Sequence, residues 1–167
     1  RTLRVWLNQL CDALVAAHAK GIVHRDLKPE NIIILDGDRT TLKVLDFGIA
    51  KQTSGQGDTD GTSVSGMVIG TPGYMAPEQL AGKTVDSRAD IFAVGVMAWE
   101  ALCGSRPFQG TTAAELAIAM QTRPVARAGA FGFVLRDVLE SSLASEPHRR
   151  PASVLELKQR LNAAINT

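Results

Sequence analysis

Asp26, within His24-Arg25-Asp26-Leu27-Lys28-Pro29-Glu30-Asn31, stands five residues before a carboxamide, Asn31, and twenty before a second carboxylate in Asp46-Phe47-Gly48. Phosphoryl transfer needs one group to orient a hydroxyl nucleophile and hard oxygen donors for magnesium, and these residue types in this order can supply both. Lys28, two residues beyond Asp26, is a point charge able to neutralise a phosphoryl group in transit. Arg25 would need an anion nearby if it were buried. The competing account is a polar loop that carries these residues by chance between a helix and a strand.

The flanking pattern must bring these groups together. Leu3, Leu7, Leu10, Leu14 and Ala17 recur at steps of four and three, which predicts an amphipathic helix over residues 2–20 closed by Gly21. Ile32–Leu35 and Leu42–Leu45 are short apolar runs around a polar stretch, the pattern of a small β-hairpin. Asn31 precedes the first run and Asp46 follows the second, so antiparallel pairing would put both oxygen donors at one end. His18, near the end of the first helix, reads as a surface or half-buried residue.

Residues 51–70 turn to Gly, Ser, Thr, Gln and Asp, which predicts a mobile loop. It is either a plain linker or, given its place between Asp46 and Glu78, a segment whose order controls activity. Asp90 to Trp99 is apolar on every side, as in a helix enclosed by its neighbours. Met97 and Trp99 are then core residues and Cys103 a buried thiol. Thr112-Ala113-Ala114-Glu115 is a capping-box pattern opening a helix towards Gln121. Phe131, Leu135, Val138, Leu139 and Leu143 form a further stripe, and Ser153 to Glu156 opens a last helix carrying Val154, Leu157, Leu161 and Ile165.

With 167 residues and 45% apolar content, the chain can bury one sizeable core. Eighteen basic and seventeen acidic residues leave a net charge of +1, so no electrostatic case exists for a nucleic-acid or membrane-surface partner. Cys11 and Cys103 are the only cysteines, which suggests neither a disulfide framework nor a zinc site and fits a reducing, cytoplasmic compartment. The longest apolar run, Ile91 to Trp99, is half of a membrane span, so no membrane contact is expected within this segment, although an anchor could lie outside it.

Together with Ala76-Pro77-Glu78, these motifs resemble the eukaryotic-type serine/threonine protein kinases, in the form found in bacteria. The resemblance covers the whole chain. It implies an α+β kinase fold of which residues 1–167 are the mainly α-helical C-terminal lobe, with a small β-hairpin at the site and an activation segment over 46–78. It also implies ATP and Mg2+ as cofactors and protein substrates with serine or threonine acceptors. By that likeness Asp26 accepts or orients the hydroxyl proton, Lys28 contacts the transferring phosphoryl group, and Asn31 and Asp46 hold magnesium. Thr71 resembles the threonine beside the substrate-docking loop. His24, Arg25, Phe47 and Gly48 support the site, with His24 and Phe47 as buried packing residues. Asp90 accepts hydrogen bonds from the catalytic-loop backbone, and Glu78 pairs with Arg150. A phosphorylated Ser63, Ser65, Thr59 or Thr62 could supply the anion for Arg25.

The glycine-rich loop and strand lysine of the family's preceding lobe are not found in these residues; Gly55-Gln56-Gly57 lacks the third glycine, and Lys43 is in the wrong strand. That lobe is therefore an expected partner. Without it, the chain alone should be weakly active or inactive. Two alternatives stay open. One is a non-catalytic, kinase-like interaction module, against which the intact Asp26, Asn31 and Asp46 count. The other is a small-molecule phosphotransferase, against which Gly70-Thr71 and Ala76-Pro77-Glu78 count.

Overall fold

The computed structural model describes residues 2–35, 41–47, 72–122 and 132–165. Six helices and one two-stranded sheet are built from them: α1 (Thr2–His18), β1 (Ile32–Ile34), β2 (Leu42–Val44), α2 (Pro77–Leu80), α3 (Arg88–Cys103), α4 (Ala113–Ala119), α5 (Phe133–Ser142) and α6 (Val154–Ile165). The fold is thus mainly helical with a small antiparallel hairpin. None of the helices among the described residues is long and apolar enough to cross a membrane.

Helix α3 is the axis of the molecule. Every residue from Ala89 to Trp99 is buried, which an amphipathic surface helix could not achieve. Helix α1 packs on α3 and α6, and α5 packs on both α3 and α6. Gly95 lets α5 approach, since a Cβ there would lie 2.9 Å from the Cβ of Ser142. Helix α3 ends at Gly104, whose φ of 70° is the left-handed value that closes a helix.

Helix α1 stops two residues short of the sequence expectation, at His18. The amides of Gly21 and Ile22 turn back to the carbonyls of His18 and Ala17, the double bond of a Schellman close, so residues 19–21 are a turn. On α4, Thr112 accepts from the Glu115 amide and Glu115 returns to the Thr112 amide, giving the capping box; the helix itself ends at Ala119. Val138, Leu139 and Leu143 are buried along α5, while Phe131 lies outside the described residues. Val154, Leu157 and Leu161 are buried on α6, but Ile165 is 37% exposed at the helix end. Cys103 also departs from expectation. It is only partly buried, because the last turn of α3 emerges from the core that encloses the preceding turns.

Candidate active site

The loop from Ile22 to Lys28 leaves α1 and crosses the N-terminal end of α3, where Asp90 receives it. Asp90 is 1% exposed. Its Oδ2 accepts from the His24 amide and its Oδ1 from the Arg25 amide, each at 2.9 Å. The ring of His18 approaches the same Oδ2 at 2.7 Å, a contact that the sequence pattern did not reveal. These bonds hold Arg25 at φ 65°, a left-handed conformation costing a non-glycine residue on the order of 1–2 kcal/mol. The loop is therefore bent by its supports.

His24 continues the same support inwards. Its Nε2 lies 2.8 Å from the Leu45 carbonyl, and its Nδ1 accepts from the Asp26 amide at 3.3 Å. The carbonyl needs a donor and the amide an acceptor, which fixes the Nε2–H tautomer. Phe47 lies against this ring, with centroids 5.0 Å apart, yet it is only half-buried rather than enclosed. Its outer side has no cover among the described residues that would complete burial.

At the functional end, the Lys28 ammonium sits 3.0 Å from Asp26 Oδ2, and the Asp26 side chain remains 39% exposed. Asn31, buried to 9% exposure, donates its amide nitrogen to the Asp26 carbonyl at 2.7 Å. Since that bond consumes the nitrogen end, the carboxamide oxygen is the end left to face a cation. The hairpin then supplies Asp46. Ile32 pairs with Val44, and the Leu45 amide donates to the Asn31 carbonyl at 2.8 Å, so Asn31 and Leu45 continue the ladder by one step. Asp46 follows directly, exposed and at φ 51°. Arg25 and Asp46 are the only non-glycine residues at positive φ among the described residues, and both belong to this site.

Asn31 and Asp46 are hard oxygen donors, and magnesium keeps several waters and phosphate oxygens beside one or two protein ligands, so the pair fits that ion. Among the described residues no group of three or more His, Cys, Asp or Glu side chains could hold a metal. Gly48, Thr59, Thr62, Ser63, Ser65 and Thr71 lie outside the described residues.

Residues 72–80 form the opposite wall. Glu78 and Arg150 make a bidentate pair with both bonds at 2.7 Å, fully enclosed at 6% and 0% side-chain exposure. The same guanidinium donates to the carbonyls of Arg88, Ala144 and Ser145 and lies over Phe92. Gln79 reaches the loop itself, with Nε2 on the Arg25 carbonyl at 2.6 Å. Tyr74 donates its hydroxyl to Glu100 and is held well above its usual range, first by burial and then by that carboxylate. Arg25 Nε is buried and has no hydrogen-bond partner among the described residues.

One helical body is thus threaded on a buried helix, with Asp26, Lys28 and Asn31 on a bent loop and Asp46 following the hairpin beside it. Residues 1–161 match the family model described as "Protein kinase domain", and the chain belongs to that family. It is 43% identical over 165 residues to the serine/threonine-protein kinase Pkn1 of Myxococcus xanthus, covering 95% of this chain and 23% of that protein. A second protein of that organism, the serine/threonine-protein kinase pkn3, is 37% identical over 174 aligned positions, covering 98% of this chain and 31% of its own. The serine/threonine-protein kinase ULK3 of Xenopus laevis is 37% identical over 158 residues, 90% of this chain and 31% of that protein. The chain thus spans less than a third of the length of each.

Proposed function

We propose that this chain is the catalytic-loop half of a serine/threonine protein kinase, transferring the γ-phosphoryl group of ATP to serine or threonine hydroxyls of proteins. The observation that carries the reading is the junction of loop and hairpin: Asn31 bonded to the Asp26 backbone and, through the Leu45 amide, drawn beside Asp46. Asp26 accepts the hydroxyl proton of the substrate and orients its oxygen for attack on phosphorus. Lys28, already within 3.0 Å of that carboxylate, balances charge on the phosphoryl group as it moves from the leaving oxygen to the acceptor oxygen. Asn31 and Asp46 would hold magnesium, which when bound would offset part of the triphosphate charge.

The same reading makes residues 1–167 the C-terminal lobe, with 46–78 as activation segment and Thr71 at the substrate side. The lobe carrying the glycine-rich loop and strand lysine would dock over the hairpin, where Ile33, Ile34, Leu35 and Leu45 are each at least 36% exposed. A phosphate on Ser63, Ser65, Thr59 or Thr62 is the anion to which Arg25 Nε, without a hydrogen-bond partner among the described residues, would donate.

Transfer of labelled phosphate from Mg-ATP to a serine peptide tests the reading. These residues alone are expected to turn over poorly, and the chain joined to a nucleotide-clamping lobe to turn over readily. Asp26→Asn should then lower kcat by roughly 100- to 10,000-fold. Transfer that survives Asp26→Asn overturns the assignment. Ready turnover by the 167 residues alone, abolished by that substitution, would keep the chemistry and discard the two-lobe division.

A further inference from the structure

We propose that Gln79 is a positioning residue that fixes the carbonyl of Arg25, and with it the catalytic loop, to the wall formed by residues 72–80. The inference rests on the kinase reading for its functional meaning but on geometry for its substance. Gln79 Nε2 donates to the Arg25 carbonyl at 2.6 Å, and its Oε1 accepts from the Ala76 amide at 3.0 Å. A carbonyl can only accept and an amide N–H can only donate, so the two partners determine which end of the carboxamide faces which. No other side chain of this length offers one donor and one acceptor side by side. Glutamate offers acceptors only, and methionine no comparable group.

The bond matters because of what it touches. Arg25 is at φ 65° immediately before Asp26, and its amide is already held by Asp90 Oδ1 at 2.9 Å. Gln79 holds the other side of that residue. Both backbone polar groups of this strained residue are thereby pinned, one from α3 and one from α2, which fixes the backbone from which the Asp26 side chain departs. The Ala76 bond serves a second purpose. Ala76 precedes Pro77 at the start of α2 and has no side-chain acceptor, so Gln79 caps the helix that carries it. Any displacement of residues 76–80 must then stretch the bond to Arg25. The loop senses the wall through one carboxamide.

Amide hydrogen exchange of the 167-residue chain tests this with no need for turnover. Gln79→Glu keeps the acceptor for Ala76 and removes the donor for Arg25; Gln79→Met removes both. In both variants the Arg25 and Asp26 amides should exchange about tenfold faster, the effect of losing one hydrogen bond. The Ala76 amide should speed up only in Gln79→Met. Amides of Val94 and Val96 in α3 should be unchanged in Gln79→Glu, and that variant decides the matter should Gln79→Met unfold. Unaltered exchange at Arg25 and Asp26, or acceleration shared equally with α3, overturns the role. Because no step involves ATP, a failure here leaves the Asp26→Asn test of the function standing, and the reverse.

Discussion

Asp90 shows how much one buried carboxylate can organise. It accepts from two consecutive loop amides and from His18, all while 1% exposed. An asparagine there would keep one acceptor but turn an NH2 group towards amide donors, so a bond is lost and a donor is left facing a donor. Asp90→Asn is expected to destabilise the fold by about 2–4 kcal/mol, and His18→Gln, which can still donate, by about 1 kcal/mol or less. Urea unfolding of the two variants checks the order. The thiols provide a second test. Burial pushes Cys11 from 9.0 up to about 12, beyond what the nearby Lys158 offsets. Between those values the unfolded chain has lost the proton and the native one has kept it, so stability is intact below pH 9 and falls as pH rises. Tyr74, raised by burial and by Glu100, acts in the same direction. The urea midpoint should drop above pH 9, with a shallower drop in Cys11→Ala. Thiol reagents should label Cys103 in the native protein and Cys11 only on unfolding.

At the scale of elements, periodicity was a good guide where one helix face or one hairpin decides the outcome. The stripe of Leu7, Leu10 and Leu14 and the all-apolar run of α3 could be read directly because burial follows side-chain type there, and the hairpin could be read from its two short apolar runs although Ile33, Ile34, Leu35 and Leu45 stay exposed. What periodicity could not show are contacts made by polar groups across elements. His18 reads as an ordinary helix-end histidine until α3 places Asp90 against it, and Gln79 is a neutral residue in a segment too short for any pattern. Phe47 and Cys103 are apolar by type, yet their neighbours leave them partly open. Gly95 was equally silent. Alanine there would gain up to about 1 kcal/mol of helix propensity but places a Cβ 2.9 Å from Ser142 Cβ and 3.3 Å from Leu143. Overpacking of that kind costs about 1–3 kcal/mol, so a net loss of about 1 kcal/mol is expected. Ser142→Gly should recover part of the loss in the Gly95→Ala background, a coupling readable in a double-mutant cycle.

Across the whole molecule, the polar wall of the site and the late helices are tied by a single side chain. Arg150, just before α6, reaches Glu78 on α2, the Arg88 carbonyl at the start of α3, and the carbonyls of Ala144 and Ser145 after α5. Three segments, on α2, at the start of α3 and after α5, meet on one guanidinium, and its planar fork is what lets it satisfy them together. Lysine carries the charge but not the fork, so Arg150→Lys should destabilise nearly as much as Arg150→Met, by about 3–5 kcal/mol for a broken buried pair. Replacing both partners, Glu78→Gln with Arg150→Met, removes the stranded carboxylate and should recover part of that loss. The recovery stays incomplete because the carbonyls of Arg88, Ala144 and Ser145 still lack their donor. Chemical denaturation of the three variants distinguishes this from a surface ion pair, for which lysine would substitute with a change under about 1 kcal/mol. If lysine does substitute, the fork of Arg150 is not what ties the wall to the segment between α5 and α6, and the route from that segment through α2 and Gln79 to the Asp26 loop disappears with it.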